Sequence, residues 1–410
     1  MRLLLVIVLI ATSVTASADY LFNTFNTVVR YSDAGERLFA YGCEGPNGCW
    51  LGESADTVTV DAEGVVYTSV NNLGNRSLLQ FDFETGERLS GPELGAQDIR
   101  VEGDWWQSSF REPEMDCGPN GCTPFWLPTQ QAVEYATGRV WLSARLRDGL
   151  IAHPDGHVYG VGVADAWRSP TPRFGEYVDT FAALLRFPQD FTSAPQVVSV
   201  ISTDTSLVEF TYQYADVELG PDGAVYFGTD EGIAVVQPAE FTGFATVSAV
   251  PTISPPIPPA SFTVGEGGEL YSVSLLRGAP TEPPGVFLLR TNPATGQAEA
   301  AVDLRPFLAE RDSARFGDVF LDDTGGVLVP LSYRDTGVAS EFEAAYRAQL
   351  LRFDANTGEF DRMVFDEPLD NLEVFLTGGV YVRVIPEPGA AFALVLAAML
   401  VPRRLNHAHR

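Results

Sequence analysis

Asp61-Ala62-Glu63-Gly64-Val65-Val66-Tyr67 is the stretch that decides the fold: an acidic residue, a turn glycine, then a β-branched run ending in tyrosine. The glycine supplies the positive φ that a tight hairpin needs, and the flanking residues alternate with the period of a strand. The pattern returns as Val101-Glu-Gly103-Asp-Trp-Trp106, Pro154-Asp-Gly156-His-Val-Tyr159 and Pro221-Asp-Gly223-Ala-Val-Tyr226. It returns again as Gly267-Gly268-Glu-Leu-Tyr271, Gly325-Gly326-Val-Leu-Val329 and Thr377-Gly378-Gly-Val-Tyr381. With Gly64, Gly103, Gly156, Gly223, Gly268, Gly326 and Gly378 as markers, the mean spacing is about 52 residues, a repeat long enough for one supersecondary unit.

A second turn alternates with the first. It reads Phe81-Asp-Phe-Glu-Thr85-Gly86, Val133-Glu-Tyr-Ala-Thr137-Gly138, Thr291-Asn-Pro-Ala-Thr295-Gly296 and Phe353-Asp-Ala-Asn-Thr357-Gly358. Weaker copies begin at Arg186 and Pro238, and an early one, Arg30-Tyr-Ser-Asp-Ala-Gly35, stands near the start. Two hairpins per repeat make a four-stranded blade, so the expectation is an all-β, seven-bladed β-propeller. The chain opens on the second turn type and ends on the first. The last hairpin therefore shares a blade with residues 20–40, and this N- to C-terminal pairing removes two exposed sheet edges.

The Asp-Gly-x-Val-Tyr and Thr-Gly turns resemble those of the broad class of propellers that includes NHL-repeat, lactonase-like and streptogramin-lyase-like proteins. The resemblance runs over residues 19–383 and implies the fold. Between the turns lie insertions on which binding residues are commonly carried. They are Trp106 to Pro128, Trp167 to Tyr177, the proline tract Pro251 to Pro259, and two stretches read as short helical excursions, Asp303 to Ala314 and Ser340 to Leu351. Ser340 and Glu343 have capping-box spacing.

Both ends read as addresses. Arg2, the apolar run Leu3 to Val14 and Ala16-Ser17-Ala18 form a secretory signal over residues 1–18, placing the mature start near Asp19. At the other end, Pro386-Glu387-Pro388 precedes an apolar run from Ala390 to Val401 and the pair Arg403-Arg404. Residues 384–410 resemble the PEP-CTERM sorting signal of Gram-negative bacteria, which implies exosortase-type processing, a transient membrane anchor and delivery to the outer surface or extracellular matrix. The apolar run falls short of the roughly 20 residues that span a bilayer.

The chain contains 26 cationic residues, all Arg, against 54 Asp and Glu. Without residues 1–18 and 384–410, 22 Arg and 53 acidic residues remain, a net charge of −31. Such a field repels nucleic acid and anionic lipid and keeps an exported protein soluble. Cys43 and Cys49, and Cys117 and Cys122, bracket two copies of Pro-Asn-Gly. In an exported chain these imply disulfides; local pairing is favoured by the turn chemistry, while crossed pairing stays open.

No nucleophile elbow, His-Glu-x-x-His or phosphate-cradling loop is present. His153 and His157 flank the Gly156 turn and read either as an acid–base pair or as ordinary turn residues. Counting back from the turn glycines, Asp56, Asp148, Asp318 and Asp370 stand eight residues before, and Asp216 seven. In a propeller they would begin the innermost strands. They would then either ring one channel mouth, where they could hold Ca2+, or simply close the loop entering each strand. A cation at this mouth is also what the lactonase-like resemblance implies. Two functions follow: a non-catalytic surface module binding polysaccharide or protein, with Trp50, Trp105, Trp106, Trp126 and Trp167 as candidate contacts, and a cation-dependent hydrolase or lyase. The binding module is the preferred expectation.

Overall fold

A computed structural model describes residues 17–24, 27–41, 54–72, 75–90, 114–118, 121–125, 131–135, 138–168, 176–187, 196–202, 217–229, 232–241, 243, 252–253, 259–276, 285–308, 311–334, 346–369 and 376–384. Alternating apolar strands with tight glycine turns cannot each bury both faces alone, so they stack as blades. Blade 1 begins with β1 (Ser17–Thr24), β2 (Val28–Ser32) and β3 (Arg37–Ala40). Blade 2 holds β4 (Ser54–Val60), β5 (Val65–Asn72), β6 (Asn75–Asp82) and β7 (Arg88–Ser90).

Two strands, β8 (Glu114–Gly118) and β9 (Gly121–Phe125), pair with each other and, among the described residues, with no other strand. Blade 3 has β10 (Gln131–Tyr135), β11 (Gly138–Ala152), β12 (Val158–Trp167), β13 (Tyr177–Phe187) and β14 (Gln196–Ser202). Blade 4 is shorter: β15 (Val217–Leu219), β16 (Val225–Thr229), β17 (Gly232–Val236) and β18 (Thr252–Ile253). Blade 5 holds β19 (Pro259–Val264), β20 (Leu270–Leu276), β21 (Gly285–Thr291) and β22 (Ala298–Asp303). A single turn of helix, α1 (Arg305–Leu308), leads into blade 6. That blade comprises β23 (Asp312–Phe316), β24 (Phe320–Leu321), β25 (Gly326–Arg334), β26 (Tyr346–Asp354) and β27 (Phe360–Pro368). The last strand, β28 (Leu376–Val384), returns to blade 1 and pairs antiparallel with β1, from Ser17↔Val384 to Thr24↔Leu376.

The ring therefore closes as expected, but with six blades rather than seven. Inner strands touch in the order β28, β4, β11, β15, β19, β24 and back to β28. The difference shows at the turns between blades 2 and 3. The Gly103 copy lies outside the described residues, and the Gly138 turn joins β10 to β11, where it extends blade 3 instead of closing a separate one. Two further expectations shift. Gly378 is mid-strand, paired with Asn23, so the closing blade has no turn there. The second supposed helical excursion is strand from Tyr346 onward, while Ser340 and Glu343 lie outside the described residues.

Five apolar clusters fill the gaps between blades. The closing seam is aromatic. Phe22 of β1, fully buried, meets Phe320 and Phe365 of blade 6 edge-on at 5.7 Å, and Tyr31 stacks on Phe365 at 4.6 Å. Gly379 is required at this seam, because a Cβ there would meet the rings of Phe320 and Phe22. Inner strands are also joined by hydroxyls. Leu150 N donates to Thr57 Oγ1 at 3.2 Å and Ala152 N to Thr59 Oγ1 at 3.1 Å, binding blade 3 to blade 2. Ser261 Oγ accepts from Val319 N at 3.2 Å in the same way between blades 5 and 6.

Candidate functional site

The up-and-down order of each blade separates two faces. The Asp-Gly turns and the Thr-Gly turns at Gly86, Gly296 and Gly358 emerge on one face; the Gly138 copy, at the start of β11, emerges on the other with the connections within and between blades. On the turn face one device recurs. Asp61 Oδ1 accepts from Glu63 N at 3.0 Å and Val65 N at 2.8 Å, while Tyr67 donates its hydroxyl to Oδ2 at 2.7 Å. Asp155 repeats it with His157 N and the Tyr159 hydroxyl, and Asp322 with Thr324 N and Gly326 N. Asp82 and Asp354 close the second turn type by accepting from Thr85 and Thr357. These are satisfied turn carboxylates.

Electrostatics on this face follow from the same bonds. The Thr85 hydroxyl and N–H hold Asp82 below the usual carboxylate range, and the N–H groups of Thr357 and Asn356 do so for Asp354. Burial works to raise Asp322, but hydrogen bonds from Arg352, Thr324 and Gly326 outweigh it and leave the group lowered. Asp19 goes the other way: burial raises it despite Arg30, whose Nε lies 2.6 Å from its Oδ2. Arg30 also donates to Phe83 O at 2.6 Å and lies over the Phe83 ring at 3.9 Å, binding blade 1 to blade 2.

His153 belongs to this structural set. Its Nδ1 lies 3.2 Å from Asp155 N and 3.0 Å from Asp155 Oδ1, and its Nε2 lies 3.1 Å from Gly223 O of blade 4. It is an inter-blade contact, with Phe241 and Tyr159 packed against the ring. His157 flanks the same turn 3.3 Å from Asp155.

Of the five candidate carboxylates, Asp216 and Asp370 lie outside the described residues. Asp56 and Asp148 occupy the same place on the touching inner strands β4 and β11, each at a break in register. Asp318, half-buried between β23 and β24, is one position off. The left-handed glycine of its turn is Gly325, not Gly326, so it stands seven residues before the turn, like Asp216. Asp370 was aligned on Gly378, where the strand has no turn. Among the described residues no group of three or more His, Cys, Asp or Glu could hold a metal ion.

Cys43 and Cys49 lie outside the described residues, and Cys117 stands directly opposite Cys122 in the β8–β9 register. No disulfide is found among the described residues. Trp50, Trp105, Trp106 and Trp126 also lie outside them, as do Pro386 to Pro388, Arg403 and Arg404.

On the loop face the most developed feature is the end of blade 3. Counted from equivalent turn glycines, β12 runs ten residues and β16 five. Blade 3 therefore overhangs blade 4 by roughly 17 Å at about 3.3 Å per residue. Trp141 of β11 pairs with Trp167 of β12, which pairs with Tyr177 of β13. These three occupy the sheet face that, lower down, packs Val163 and Ala182 on blade 4. Tyr177 is 52% exposed and meets Trp167 edge-on at 5.5 Å. Only Trp167 was legible as a candidate; strand register was needed to bring Trp141 and Tyr177 beside it.

The fold is a six-bladed β-propeller closed by its terminal strands. No family model matches the chain, and no curated protein matches it. Solved structures resemble it at the level of fold. One is a protein of unknown function from Bacteroides caccae, 10% identical, with a TM-score of 0.42 and coverage of 90% of this chain and 100% of that one. TolB from Acinetobacter baumannii is 11% identical, TM-score 0.43, covering 90% and 67%. XC5397 from Xanthomonas campestris, described as a gluconolactonase, is 15% identical, TM-score 0.37, covering 77% and 83%. Likeness at this level assigns no activity.

Proposed function

We propose that this is an exported surface propeller that binds polysaccharide or protein through its loop face and is delivered by its two terminal segments. The observation that carries the reading is the division between faces. Ser17 pairs with Val384, so the points from which the signal and sorting segments continue stand side by side at the turn face. Processing and any transient membrane attachment then act on the turn face, leaving the loops turned outward. Cleavage after Ala18 removes two of the β1–β28 register pairs and leaves the six from Asp19 to Thr24. An exosortase-type enzyme would act at Pro386-Glu387-Pro388, with Arg403 and Arg404 as the basic end of the signal.

Cys117 and Cys122 form a local disulfide in this reading, supported by their opposed register, and Cys43 and Cys49 form the second. Mass spectrometry of the native protein tests the proposal. It predicts an N-terminus at Asp19, loss of the segment after the Pro-Glu-Pro motif, and two bridged peptides after non-reducing digestion. Intact residues 1–18 or 390–410 would overturn it.

The cation-dependent hydrolase or lyase is the second reading. It is favoured by the equal placement of Asp56 and Asp148 on adjacent inner strands. Calcium that raises the Tm of the mature domain, with the gain lost in Asp148→Asn, would support it; an unchanged Tm would remove it.

A further inference from the structure

Blade 3 carries far more strand than ring closure needs, and what it exposes there is chemically specific. β11 is 15 residues long, and its first turn is extended by β10 through Gln131↔Leu142 to Tyr135↔Gly138. On the overhang, Trp141, Trp167 and Tyr177 stand in one row across three strands. Trp167 and Tyr177 meet edge-on at 5.5 Å, so the row presents ring edge and ring face in turn along one apolar track.

Polar groups line it in the next row. Asp165 pairs with Thr180, whose hydroxyl donates to Asp165 Oδ1 at 2.8 Å, and the Tyr177 and Thr180 hydroxyls lie 2.6 Å apart. The Arg139 guanidinium lies 5.7 Å from the centroid of the Trp141 ring. The Trp167 Nε1–H, shut from solvent, has no acceptor among the described residues.

We infer that this overhang is a stacking site for a neutral oligosaccharide. The rings take the apolar faces of successive pyranose units, and Asp165, Thr180 and Tyr177 take their hydroxyls. The inference rests on the binding-module reading and names its ligand class. Aromatic rings with a polar tip suit a partner that is apolar on one side and hydroxylated on the other. The domain charge of −31 and the Asp165 carboxylate disfavour polyanionic chains.

The test is affinity electrophoresis of the processed domain in gels containing soluble cellulose ether, xylan, mannan or, as the anionic control, polygalacturonate. Wild type is compared with Tyr177→Ser and Trp141→Ala, each checked for an unaltered far-UV spectrum. Tyr177→Ser removes an exposed ring and keeps the fold even if Trp141→Ala does not. The expected result is retardation by at least one neutral polymer and none by polygalacturonate, with the apparent Kd rising about tenfold in Tyr177→Ser. Retardation that Tyr177→Ser leaves unchanged overturns this site while preserving the binding module. Absence of retardation by every neutral polymer, or retardation by polygalacturonate alone, overturns the neutral-sugar assignment.

Discussion

The two faces of the ring are built on opposite plans. On the turn face, blades 2, 3 and 6 repeat the same hydrogen-bonded carboxylate at Asp61, Asp155 and Asp322, and the first and last strands meet in one sheet. On the loop face, connections differ in length from blade to blade, and blade 3 rises past its neighbour with Tyr177 exposed beside half-buried Trp141 and Trp167. Where a backbone makes the same tight turn from blade to blade, the same residues recur; where it does not, each segment is free to differ. The regular face carries the fold, and the irregular face carries what distinguishes this propeller from others.

Substitutions should respect that division, beginning with the largest effect. Phe22→Ala removes a fully buried ring from the closing seam and is expected to cost about 3–5 kcal/mol, read by urea denaturation. A cost below 1 kcal/mol would mean that terminal pairing does not hold the ring shut. Arg30→Met is expected to cost about 3 kcal/mol, because it leaves Asp19 buried without its partner. A neutral result there would show blades 1 and 2 held by packing alone.

Acid sharpens the comparison further. Asp322 is lowered in the fold, so its ionised form is favoured there. Its stabilisation is present above the unfolded value of about 3.9 and lost as pH falls below that toward its folded value. Asp19, raised by burial, has the opposite sign and adds stability as pH falls through its folded value. Asp322→Asn should therefore flatten the fall in Tm below about pH 4. Equal acid limbs for the two proteins would contradict the turn-carboxylate account. The smallest effect is expected on the loop face: Tyr177→Ser should change stability by no more than about 0.5 kcal/mol, while weakening sugar binding.

Legibility in the sequence followed the same line. The hairpin turns, the all-β class and the terminal closure could be read because Gly64, Gly156, Gly223 and Gly268 need left-handed backbone, and few other residues supply it. Blade number was misjudged where the device was imitated without its consequence. Gly138 turns a hairpin that lengthens a blade, and Gly378 sits within a strand, paired with Asn23, where it makes no turn. The Asp318 alignment slipped by one for a similar reason: in Gly325-Gly326 only the first glycine is left-handed. The aromatic row was hidden because Trp141, Trp167 and Tyr177 become neighbours only through cross-strand register, and no local spacing encodes it.

The most direct measurement of the two-face account is hydrogen exchange along the processed domain, with and without a saturating neutral polysaccharide. The account predicts slowed exchange at residues 138–146, 163–168 and 177–181, and unchanged exchange at the turns around Gly64, Gly156 and Gly325. Protection centred on those turns, with the end of blade 3 unaffected, would contradict it.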